Sequence, residues 1–164
     1  MQNQPDFIVK LIVDAWFAQV SRVDKLLEEL HDEQLQREIA PGRNTGVYLI
    51  GHLAAIHDAV LPLLNLRQKL HPELQEIFVN NPDKSGHEKP SIKKVREYWK
   101  EVNNELESHF RKMSTEDWLK RHEAISDADF ANQPHRNKLN VVLNRTSHLA
   151  NHLGQLLLLK NRED

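Results

Sequence analysis

Ten histidines are spread through the 164 residues, and three of them occupy positions where chemistry becomes available. His148 and His152 stand four residues apart in a segment of helical periodicity. Residues at that spacing lie one above the other on the same helix face, so both imidazoles can address one ion. His52 stands in the middle of the apolar arc of another periodic segment, between Ala59 and Ile56 on the helical wheel. An imidazole delivered from a facing helix completes a tripod. Three His ligands with an open fourth position are the arrangement of a catalytic zinc, where a structural zinc is closed by four protein ligands. Taken alone, His52 also reads as a core histidine hydrogen-bonded to a neighbour, and a HxxxH spacing also arises by chance.

Placement strengthens the pair. His148 and His152 share a line with Val141 and Leu159 and are flanked by Arg145 and Gln155, while Asn140, Asn144, Ser147 and Asn151 form the solvent side. The pair therefore faces inward. Burying two imidazoles, a guanidinium and an amide without partners costs several kcal/mol, so such a stripe persists when its members bind one another, a metal or a ligand. A di-iron carboxylate bundle needs two Glu-x-x-His motifs and further glutamates. Only Glu28 and His31 have that spacing, and the inward stripe of the last segment holds no acid. His122-Glu123 does not extend to a zincin motif, because Ser126 stands where the second histidine is required. His57, at the margin of the arc of His52, is a candidate fourth ligand or a supporting group behind the ligands. His31, His71, His87, His109 and His135 fall near helix ends or in polar stretches and are expected at the surface.

Four amphipathic segments must position these groups. The first covers 6–30, with Phe7, Leu11, Ala15, Trp16, Val20, Val23, Leu27 and Leu30 at helical spacing and Pro5-Asp6 as a start. The second runs from 44 or 45 to 70 with Tyr48, Leu49, His52, Ile56, Ala59, Val60 and Leu63 on one face and Asp58 on the opposite side. Pro62 should kink it or end its regular part. The stretch 71–90 carries Pro72, Pro82, Gly86 and Pro90, with one short helical piece over 73–78. Antiparallel neighbours are joined by far shorter links, so this one is read as crossing the bundle end to end. The third helix starts at Ser91 as N-cap and runs through Val95, Tyr98, Trp99, Val102, Leu106 and Phe110 to Met113. A short helix from 114 carries Trp118, an irregular stretch passes Asp127, Phe130 and Pro134, and the fourth helix covers 138–160. The expected fold is all-α, a four-helix bundle in up-down-down-up order with a long crossover between helices two and three.

At this length a single domain over 1–164 is expected. A net charge of -2 and pI ≈ 6.6 argue against a nucleic-acid surface, and Lys93, Lys94, Arg96 and Lys100 alternate with Glu97 and Glu101 as a solvated helix face does. The absence of cysteine excludes a disulfide framework, a thiolate metal site and a Cys nucleophile. The start Met1-Gln2-Asn3-Gln4-Pro5-Asp6 does not resemble a signal peptide, and no apolar run is expected to approach the roughly 20 residues of a membrane span. A cytoplasmic location is expected, which makes Asn144-Arg145-Thr146 a chance match to a glycosylation acceptor.

These residues resemble the DinB/YfiT-like group of four-helix-bundle proteins, which are described as metalloenzymes. Gly51-His52-Leu53 looks like the family's first ligand segment. The stretch from Arg145 to Gln155 contains HxxxHxGQ, similar to its final-helix signature, and the long link suits its helix order. The resemblance implies a three-His divalent metal site, zinc or nickel, formed by His52, His148 and His152. It implies a small-molecule substrate and transfer or isomerisation with low-molecular-weight thiols such as bacillithiol and mycothiol. A thiol S-transferase, a metal-assisted hydrolase and a non-catalytic bundle that binds a metal or small ligand all remain open, since a fold does not fix an activity. Homodimers are common in the family, and Leu156 to Leu159 point in every direction around the last helix, which suits a helix end buried on several sides or at a subunit interface. Beside the ligands, Gln155 is read as orienting a ligand or as a packing hydrogen bond. Arg145 is read as holding a carboxylate of a thiol cosubstrate or as pairing with a bundle carboxylate such as Asp129. Tyr48 is read as lining the pocket or filling core.

Overall fold

The computed structural model describes residues 4–160, and among these every regular element is helical. Helix α1 (Gln4–Glu29) buries Val9, Val13, Trp16, Val23, Leu26 and Leu27. The expected face is corrected in its first half: Phe7 and Leu11 are 52% and 53% exposed, and Ala15 is exposed. The start of α1 carries apolar residues on two lines, and the line continuous with Trp16 is the one that packs. A short helix α2 (Asp32–Gln36), unforeseen between the first two expected segments, opens on a capping box between His31 and Gln34.

Helix α3 (Gly46–Asp58) starts at Thr45, whose hydroxyl accepts from the Tyr48 amide at 3.3 Å. The expected continuation to 70 does not occur. After Ala59 only the turn α4 (Val60–Leu63) follows, and Asn65 leaves the helix with φ 54. Pro62 has no amide to return to the Asp58 carbonyl, so the ladder breaks here. Asp58 also departs from its expected solvent position. It is 1% exposed, and its two carboxylate oxygens accept from the Leu70 and His71 amides at 2.8 and 2.9 Å. The chain folding back after α4 delivers both amides to it.

The crossover holds a π-helical turn at Glu76–Asn80 where a helical piece over 73–78 was expected. Its Phe78 ring is fully buried against α3 at Gly51, where a Cβ would come within 2.4–2.5 Å of three ring carbons. Helix α5 (Ile92–Phe110) begins at the expected cap Ser91 and ends three residues before Met113. The short helix α6 (Thr115–Leu119) follows Ser114, and α7 (Asp127–Asn132), capped by Ser126, occupies the stretch read as irregular. Helix α8 (Lys138–Leu157) is capped by Asn137 and ends before the expected 160.

Helix α1 packs along α8 and α3 along α5, with lesser contacts between α3 and α8 and between α1 and α5. One core cluster joins Val23, Leu26 and Leu27 of α1 to Leu49 and Leu53 of α3, Val95 and Trp99 of α5, and Leu149 and Leu153 of α8. The other joins Val9, Val13 and Trp16 to Val60 and Leu61 of α4, Val102 and Leu106 of α5, and Leu139 and Val142 of α8. The window Gly46–Leu63 is, contrary to expectation, long and apolar enough to cross a membrane by length and composition, and 72% of it is buried inside the protein. That is the composition of a core helix.

Candidate metal centre

His52 projects from the middle of α3, while His148 and His152 project from successive turns of α8. One ligand atom from each lies within 4.8 Å of the others, and all three residues are half-buried. The Nε2 atom of His148 lies 3.3 Å from that of His52 and 3.1 Å from that of His152. Two nitrogens bound to a tetrahedral zinc at about 2.0–2.1 Å stand roughly 3.3 Å apart. These two spacings therefore match edges of such a coordination polyhedron.

Proton bookkeeping makes the same point. The Nδ1 of His52 lies 2.9 Å from the Phe78 carbonyl oxygen, which can only accept, so this nitrogen carries the proton. The Nδ1 of His152 lies 2.7 Å from Oε1 of Gln155 and donates to it in the same way. Both rings then present a bare Nε2 lone pair to His148. A proton on His148 Nε2 can bridge to one of them and not to both. An ion accepting all three lone pairs removes the conflict, and the two anchored Nδ1 atoms are the outer contacts expected of ligating imidazoles.

Burial favours the neutral form of His52 and His148. It lowers the pKa of His52, against the opposing effect of the Phe78 carbonyl, and His152 and Arg145 lower it further. Burial is also the main cause for His148, lowered to about 4, with His152, His52 and Arg145 adding to it. Neutral imidazoles at pH 7 are the form in which histidine ligates.

Gln155 accepts a hydrogen bond from His152, a contact compatible with the expected orienting role. Tyr48 is 7% exposed, donates its hydroxyl to the Asn81 carbonyl at 2.6 Å and stacks beside His52 with ring centroids 6.4 Å apart. It forms a wall. Arg145 does not pair with Asp129, whose carboxylate accepts from Ser126 at 2.7 Å in the cap of α7. The guanidinium makes no hydrogen bond or ion pair to a described residue, and its Nε is buried. His57 stands apart from the cluster. It is fully buried, its Nδ1 bonds Oδ1 of Asn103 at 2.8 Å, and Trp16 and Trp99 lie 4.5 and 5.1 Å from its ring. Burial drives its pKa to about 3.

Sequence reasoning missed the Phe78 carbonyl, because a backbone acceptor in a crossover leaves no side-chain signature. Among the remaining histidines, His31, His87 and His135 are exposed as expected. His71 and His109 are half-buried and paired with Glu101 and Glu105.

Fold and site together define a helical protein with a three-imidazole cluster suited to a divalent ion. The family model of the DinB superfamily matches residues 18–156, and the chain belongs to that superfamily. Among curated proteins, none matches the chain.

Proposed function

We propose that this chain is a divalent-metal-dependent enzyme, with His52, His148 and His152 as ligands, that activates a low-molecular-weight thiol for transfer to an electrophilic small molecule. The carrying observation is that three Nε2 atoms converge while two of the rings are locked from behind by the Phe78 carbonyl and Gln155. A neutral nitrogen donor set suits zinc or nickel. Such an ion supplies Lewis acidity that makes a thiolate or hydroxide available near neutral pH. The chain's own residues fix the tautomers of His52 and His152, favour the neutral form of His52 and His148 by burial, and pack Tyr48 and Phe78 beside the cluster. The thiol comes from a cosubstrate, because the chain has no cysteine.

The architecture in this reading is one four-helix-bundle domain in up-down-down-up order. It is supported by the two core clusters, which pair the end of α1 with the starts of α3 and α5 and the end of α8, and the reverse. A homodimer is supported by Leu143 and Leu157 of α8 and Leu158 just after it, all exposed. The assigned compartment is the cytoplasm, where thiol pools stay reduced.

The test starts from protein purified without an affinity tag. One divalent ion per chain is expected, lost in His52→Ala, His148→Ala and His152→Ala; unchanged content in all three removes the proposal. Metal-loaded protein is then screened with thiols against epoxide and halogenated electrophiles, where metal-dependent thioether formation is expected. Hydrolysis without a thiol requirement replaces transfer by a hydrolase, and binding without turnover replaces it by a binding module.

A further inference from the structure

The charge around the three histidines is one-sided. Three neutral imidazoles leave a divalent ion its full charge, and Arg145, one turn before His148, adds another. Arg145 is half-buried, has no protein partner among the described residues, and keeps its Nε out of solvent. The side chains acting electrostatically on His52 are His152 and Arg145, those acting on His148 are His152, His52 and Arg145, and no carboxylate is among them. Four other arginines, Arg67, Arg96, Arg111 and Arg121, are paired with Glu105, Asp32, Glu107 and Asp127. Asp129, the acid that α7 brings nearest in sequence, is held in its own helix cap. A guanidinium kept partly out of water without a counter-charge is unfavourable unless an anion joins it.

Resting on the metal-site reading above, we propose that Arg145 is a substrate-positioning residue whose guanidinium receives a carboxylate, so that the thiol cosubstrate is an acidic one. Such a molecule is held at two points: its sulfur in the open position facing the three imidazoles and its carboxylate on the guanidinium. The planar fork of arginine matches a carboxylate with two parallel hydrogen bonds, which a lysine ammonium reproduces only as a point charge. Two anchors also fix the direction in which the sulfur presents its lone pairs, the orienting contribution a transfer reaction needs.

The experiment uses zinc-loaded full-length protein and three small thiols differing in tail charge: 3-mercaptopropionate, 2-mercaptoethanol and cysteamine. Affinities are read by calorimetry, and zinc content is measured before and after each titration. The wild-type protein is expected to bind 3-mercaptopropionate at least about tenfold more tightly than 2-mercaptoethanol, with cysteamine weakest. In Arg145→Gln the preference for the acidic thiol should vanish while 2-mercaptoethanol affinity and zinc content stay constant. Arg145→Lys should restore part of it. Equal affinities in the wild type, or a preference that survives Arg145→Gln, overturn the inference and leave the metal reading intact. Zinc lost from Arg145→Gln also overturns it, since Arg145 then supports the ligands and not a guest. Wild-type protein that takes up no zinc overturns the metal reading, and this inference with it.

Discussion

Replacing Gly51 by alanine tests the link between crossover packing and the candidate ligands. The new Cβ would lie 2.4–2.5 Å from three carbons of the Phe78 ring, and ordinary contact begins near 3.4 Å. The overlap is about an ångström, and the ring is fully buried, so it cannot swing into solvent. The π-helical turn must therefore retreat by a similar amount. His52 bonds the carbonyl of that same Phe78 at 2.9 Å, and a retreat of an ångström breaks this bond. Overpacking costs about 1–3 kcal/mol and the lost hydrogen bond about 1, while alanine in a helix recovers up to about 1. The net destabilisation is about 1–3 kcal/mol, a fall in Tm of roughly 3–10 °C for a domain of this size. Zinc affinity should fall about 10- to 100-fold as His52 loses its anchor. Thermal melts of metal-free protein and zinc competition against a chromogenic chelator read the two effects separately. Adding Phe78→Leu should relieve the clash, so that the double variant is less destabilised than the sum of the singles. If Gly51→Ala changes neither Tm nor zinc affinity, the coupling of crossover to site is wrong.

At the opposite ligand, Gln155→Leu should weaken zinc binding about tenfold at unchanged stoichiometry, against complete loss in His152→Ala; an unaltered affinity in Gln155→Leu refutes its orienting role. In metal-free protein His57 has its pKa lowered to about 3, and an unfolded histidine titrates near 6.5. The unfolded chain therefore takes up a proton that the folded one refuses, so this contribution is fully present above pH 6.5 and is lost as pH falls toward 3. Urea unfolding should show roughly 2 kcal/mol less stability at pH 5 than at pH 7 from this group, and His57→Leu should flatten the dependence. Asp58→Ala leaves the Leu70 and His71 amides without their acceptor and should cost about 2 kcal/mol, read as a drop in the urea midpoint at constant slope.

The convergence of His52, His148 and His152 was legible because side-chain periodicity alone places them on inward helix faces. The same periodicity located α1, α5 and α8 to within a few residues, helped by the Ser91 cap. Where it failed, the determinant lay in the backbone or in a distant segment. Asp58 turns inward because Pro62 breaks the ladder and the returning chain offers two amides, neither of which a helical wheel represents. The helical spacing put Phe7 and Leu11 on the packing face, whereas Trp16 packs on the line of Val9 and Val13. His57 drew notice only as a marginal ligand, although Trp16, Trp99 and Asn103 had the means to enclose it. Gly51, beside His52, was the written trace of the Phe78 contact, and its meaning emerges only once the Phe78 ring is seated against it.

The contact between His52 and His148 bridges 96 positions of chain. During synthesis, α3 and its histidine leave the ribosome long before α8 has been made. Any cargo requiring both must wait for translation of the last stretch, whatever its supply in the surroundings. Loading is thereby postponed until the polypeptide can already fold around it, and truncated products lacking α8 are barred from competing for the ion with this chelating set.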